Sequence, residues 1–201
     1  NAIKYNCFVS VKRRNDSEEE KIMRRRTKTR VGVGLLTAIV VVLQALAVTI
    51  PVGIFNLNLV LVPIVVGAAL YGTMTGAWLG FVSAVLILFT NSAAFLAVSI
   101  PGTIITVLAK GVLSGMLAGL VYNLLKKTNL TVAVVSAAIV CPIVNTGVFV
   151  LGCLAFFMDT ISTWVPEGQF GSTIEYIFLG MIGVNFLIEL AISIVLSSTI
   201  V

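Results

Sequence analysis

One lysine interrupts a run of apolar, small and hydroxyl-bearing residues, "PGTIITVLAKGVLSGMLAGL", at positions 101–120. A charge on a lipid-facing helix is costly at mid-depth, so Lys110 is expected to face the protein interior, a partner or a water-filled cavity. Thr103, Thr106, Lys110 and Ser114 recur every three or four residues, which puts them on one face of a helix. Two further apolar runs carry polar groups. "CPIVNTG" holds Pro142, Asn145 and Thr146, and "GVNFLIEL" sets Asn185 and Glu189 one helical turn apart. This inventory suits non-covalent recognition: an ammonium for a carboxylate or phosphate, and amides and hydroxyls for the polar remainder. By helix rise, Lys110 lies about 10 Å below the outer end of its helix, Asn145 and Asn185 about 15 to 18 Å, and Glu189 about 20 Å. They can converge on an outward-facing pocket. Each also has a purely structural use. An asparagine can bond a neighbouring membrane helix for about 1 kcal/mol, and Glu189 can serve Lys110 or cap the backbone. Asn56 and Asn58, in "GIFNLN", are either loop polarity or a cover over the pocket.

Several chemistries are excluded. The chain has no histidine, which removes His-based acid–base catalysis and His-rich metal sites. Cys7, Cys141 and Cys153 lack CxxC spacing and are expected to be free thiols. The phosphate-binding pattern G-x-x-x-x-G-K-[ST] is missing, so ATP hydrolysis by that route is not open to this chain. No enzymatic activity and no resident cofactor or metal are expected.

The elements that must hold these side chains follow from composition. Of 201 residues 59% are hydrophobic and only 10% charged. With a mean hydropathy of +1.12, the chain reads as an all-α integral membrane protein. Ten of the thirteen Lys and Arg precede residue 31, and the others are Lys110, Lys126 and Lys127. The net charge of +5 therefore reports topology and contact with membrane lipids. Nucleic acid is not an expected partner, because no basic and aromatic residues interleave to stack bases.

Six apolar segments run over residues 31–50, 57–72, 76–91, 102–125, 129–157 and 174–200. The breaks between them are Pro51 with Gly53, "YGTMTG", "NSAAFLAVSIPG", "KKTN" and "DTISTWVPEGQFGST". A compact bundle of six transmembrane helices is expected, with both termini cytoplasmic. The positive-inside rule then places Lys126 and Lys127 inside, and Asp159, Glu167 and Glu175 outside. Residues 1–30 form a basic cytoplasmic arm and residues 31–201 the binding domain. Met23, directly before "RRRTKTR", reads as a natural start, which would make residues 1–22 a cloning-derived or upstream extension. Gly72, Gly76 and Gly80, and likewise Gly111, Gly115 and Gly119, recur every four residues and are expected to let helices approach closely.

The first apolar helix, "VGVGLLTAIVVVLQALAVTIP", followed by "NLNLVLVPIVVGAALYGTMTGAWLGFVSAVLILF", resembles the substrate-binding S components of energy-coupling factor (ECF) vitamin transporters. "VPIVVGAALYG...GAWLGF" carries most of the likeness, and "CPIVNTG" with "NFLIEL" supports it over about residues 25–201. The resemblance implies capture of a water-soluble vitamin from outside, with release driven by a transmembrane T subunit and two ABC-type ATPases. It also implies a small-residue motif on the first helix that packs on the T subunit. Here that place reads Gly34-Leu-Leu-Thr-Ala38, a GxxxA in place of AxxxA. Nickel and cobalt as cargo are disfavoured by the absence of histidine, and a thiamin-type cation by the shortage of intramembrane acids. Lys110 with Asn145, Thr146 and Asn185 fits a small hydroxylated amide acid such as pantothenate, with riboflavin and folate as alternatives. A self-contained secondary transporter and a membrane scaffold are the readings outside this family.

Overall fold

The structure, a computed structural model, describes residues 2–49, 59–90, 92–165 and 170–200. Asn56, Asn58, Pro51, Gly53 and Glu167 lie outside the described residues. The described chain is helical, in the order α1 (Ala2–Thr49), α2 (Leu61–Tyr71), α3 (Thr73–Thr90), α4 (Ala93–Val98), α5 (Ile100–Leu125), α6 (Leu130–Gly152), α7 (Met158–Trp164), α8 (Thr173–Glu175) and α9 (Gly183–Ile200). Two π-helical stretches complete it: Cys153–Phe157 joins α6 to α7, and Tyr176–Ile182 joins α8 to α9.

Among the described residues, four spans are long and apolar enough to cross a bilayer: Arg26–Leu46, Thr73–Thr90, Ile100–Leu125 and Leu130–Trp164. Leu61–Tyr71 and Phe186–Thr199 are apolar but shorter. At 11 residues α2 is a short rod, about 16 Å at the usual rise against about 30 Å of hydrocarbon. Gly72 ends it with φ 100°, a left-handed backbone that a side chain would strain.

The described part of the basic arm belongs to α1, which is continuous from Ala2 to Thr49. No glycine or proline occurs before Gly32, and good helix formers dominate the polar part, so nothing stops the helix there. The supposed break "NSAAFLAVSIPG" contains the short helix α4, and "DTISTWVPEGQFGST" begins with α7. A stretch of six or seven residues with a few apolar side chains, AAFLAV in α4 and MDTISTW in α7, is enough for helical turns too short to cross a bilayer.

The chain divides into two compact units, one ending at Leu35 and one beginning at Leu36. The first is the N-terminal length of α1. The second holds everything else, and its organising feature is the seam between α3 and α5. A Cβ added to Gly76 would lie 2.5 Å from the carbonyl oxygen of Gly115, and Gly80 and Gly111 block each other in the same way. At Gly119 the added atom would sit 2.7 Å from the Thr73 Cα. Gly76, Gly80, Gly111, Gly115 and Gly119 thus form an antiparallel zipper at backbone contact. Where the seam ends, Asn123 Nδ2 donates to Thr73 Oγ1 at 2.9 Å, and Lys126 Nζ donates to Asn123 Oδ1 at 2.6 Å. Gly72 takes no part in it, since its added Cβ would meet nothing.

Caps set where α5 and α6 begin. Ser99 accepts from the Gly102 N–H at 3.3 Å, and Asn129 from the N–H groups of Thr131 and Val132 at 2.9 and 3.3 Å. α6 packs along α5, and α9 against α6 and α2. One core gathers Val40, Ile64, Val65, Leu79, Ala118, Ala137 and Cys141 from α1, α2, α3, α5 and α6. A second core joins Val150, Cys153, Phe157, Ile161 and Ile177.

Candidate functional site

Helix α5 brings Thr106, Lys110 and Ser114 onto one stripe, each one turn from the next. Helix α6 answers with Cys141, Asn145 and Phe149 at the same interval, continued by Cys153 in the π-helical stretch, and the two stripes meet in antiparallel register. A Cβ on Gly102 would lie 3.0 Å from the Phe156 Cβ, and one on Gly152 would run into Thr106, so α5 and α6 touch closely above Lys110. The Lys110 ammonium stands 5.0 Å from the centre of the Phe149 ring, within cation–π range. Its charge also interacts with the Glu189 carboxylate on α9. The cation is thus set between the ring on α6 and the field of a carboxylate on α9.

The surroundings of Lys110 sort its neighbours. Thr103 Oγ1 donates to the Ser99 carbonyl at 2.8 Å, and Ser114 Oγ to the Gly111 carbonyl at 2.9 Å, so both hydroxyls are used by their own helix. Thr106 is 5% exposed, and its Oγ1 has no hydrogen-bond partner. An unsatisfied hydroxyl in a membrane interior is expensive, so it is available to a ligand or water. Asn145 is buried one turn from Phe149, and Thr146 and Glu189 are half-buried. Asn185 lies on α9 one turn before Glu189. Gly34 and Ala38 are both exposed on α1, and a Cβ added to Gly34 would meet nothing.

Phe149 is a site residue that polar inventory alone passes over. Its ring is edge-on to Phe95 at 5.9 Å, and Phe95 in turn meets Phe157 at 5.1 Å and Trp164 at 5.6 Å. The short helix α4 thus plugs an aromatic cluster above Lys110. The signal was present in the sequence, since Phe149 follows Asn145 by four residues. Gln44 was missed as well: it is 3% exposed on α1 with its Oε1 unpartnered.

Chemically, the arrangement sets a cation against an aromatic ring, with an unpartnered hydroxyl one turn away on the same helix as the cation. No group of three or more His, Cys, Asp and Glu able to hold a metal occurs among the described residues. The apolar helices of membrane-crossing length define a multi-pass membrane protein. Residues 28–201 match the family of the ECF transporter substrate-specific component. The chain belongs to that family, whose members are transporter subunits, not enzymes. It is therefore a substrate-specific subunit, working with a T subunit and ATPases on a vitamin-type ligand. No match was found among curated proteins or among solved structures.

Proposed function

We propose that this chain captures a small water-soluble vitamin, pantothenate in the first instance, in an outward-facing pocket. Lys110, Thr106, Asn145, Thr146, Asn185 and Glu189 line it, and Asn56 and Asn58 cover it. The protein sits in a prokaryotic cell membrane as a six-crossing bundle with both termini cytoplasmic. It hands its ligand to a T subunit docked on Gly34 and Ala38, with two ABC-type ATPases as the motor. The observation that carries this reading is the Lys110 ammonium, set inside the bundle beside the Phe149 ring and the unpartnered Thr106 hydroxyl. A carboxylate there gains a charge-assisted hydrogen bond that the apolar helices cannot otherwise supply. The hydroxyl and amide groups of pantothenate match Thr106, Asn145 and Asn185.

The test is a calorimetric titration of the detergent-purified chain with pantothenate, riboflavin and folate in turn. Tight saturable heat with pantothenate alone supports the assignment. Binding of riboflavin or folate in its place transfers the site to that ligand.

A further inference from the structure

Where α1 enters the bilayer, its cations are arranged for lipid. The sequence "RRRTKTR" puts five cationic residues and no acid into positions 24–30, directly at the start of the apolar span Arg26–Leu46. Arg24, Arg26, Lys28 and Arg30 are all exposed. The acid nearest in sequence, Glu20, lies 3.8 Å from Arg24 with both side chains about three-quarters exposed, 73% and 78%, so it neutralises little. At about 100° per residue, Arg24 and Lys28 lie on one flank of the helix, and Arg26 and Arg30 on the opposite flank.

That distribution decides the kind of partner. A protein or nucleic-acid surface approaches a helix from one side and would leave half of these charges unmatched. A headgroup layer surrounds the helix and matches all of them. Because α1 is unbroken from Ala2 to Thr49, the charges are held within about 9 Å along one helix axis, the thickness of a headgroup layer. We infer that Arg24, Arg26, Lys28 and Arg30 form a collar that recruits anionic phospholipid around α1. Each cation near a bilayer surface is worth about fivefold in local preference for an anionic lipid. The effect is electrostatic and falls with salt.

The test uses the full chain in nanodiscs of mixed phosphatidylcholine and phosphatidylglycerol, with the lipids retained on brief detergent transfer counted by native mass spectrometry. Retained phosphatidylglycerol should exceed its share of the bulk severalfold at about 0.1 M salt and approach that share at about 1 M. The combined change Arg24→Gln, Arg25→Gln, Arg26→Gln, Lys28→Gln and Arg30→Gln should abolish the excess. Arg24→Lys, Arg26→Lys and Arg30→Lys together should keep it, as should Lys126→Gln with Lys127→Gln. If the glutamine variant does not insert, the salt series and the other two variants decide. An excess that ignores salt, survives the glutamine changes or disappears with Lys126 and Lys127 overturns the collar. So does no excess at all.

Discussion

At the residue scale the account rests on Lys110 serving two partners. Its ammonium faces the Phe149 ring, and its charge interacts with Glu189, so removing it has two separable consequences. Lys110→Met keeps the apolar stem, and loss of the charge-assisted contact should weaken ligand affinity by about ten- to a hundredfold, or about 1.5 to 3 kcal/mol. The same change leaves Glu189 without its cation and should lower the melting temperature. Adding Glu189→Gln should restore the melt but not the affinity. A titration and a thermal melt on the two single variants and the double variant check this. Full affinity in a well-folded Lys110→Met removes the ligand role. Phe149→Leu keeps an apolar wall but loses the ring, and should cost about 0.5 to 2 kcal/mol of the same binding energy, read in the same titration. The electrostatic pairing of Lys110 with Glu189 was legible because a charged side chain in an apolar run has few neutral explanations. Phe149 and Gln44 were not. An aromatic residue in a membrane helix has many apolar uses, and only its position under the cation distinguishes this one.

At the element scale the α3–α5 seam explains why the site has a fixed frame. Gly80 and Gly111 leave no room for a side chain, so Gly111→Ala should push the helices apart. Overpacking of this kind costs about 1 to 3 kcal/mol and should show as a lower melting temperature in detergent. An unchanged melt would mean that the seam is looser than its geometry. The seam was readable from glycines spaced four apart, including which two helices carried them, although not their pairing, which needs the antiparallel register. Residues around the outer breaks were harder. α4 and α7 are too short to carry a clear period, and they fold because Phe95, Ile161 and Trp164 find apolar partners far away in sequence. Gly34 and Ala38 face outward on α1, in keeping with a docking strip for another helix. Gly34→Leu or Ala38→Leu should leave ligand binding nearly intact while reducing uptake by the assembled transporter. Equal loss of both activities in a binding assay and a vesicle uptake assay would move this strip from docking to folding.

At the scale of the whole molecule, family membership makes the chain the substrate-specific subunit of a transporter. Composition and the distribution of basic residues made the membrane class legible, because these properties are set by the solvent and need no tertiary detail. The crossing count was less so, since α2 and the apolar part of α9 fall short of a full span. Family membership over residues 28–201 joins the chain to a T subunit and ATPases. Removing residues 1–22 should leave ligand affinity unchanged, because every residue placed at the site lies beyond residue 43; a large loss in the titration would give the N-terminal length a binding role. The central claim, capture of a small vitamin by this chain alone, is tested most directly by native mass spectrometry after mild detergent extraction from vitamin-fed cells. The account predicts one small-molecule adduct per chain, matching pantothenate in mass and absent from Lys110→Met. A folded chain that stays bare, or an adduct that Lys110→Met retains in full, would contradict it.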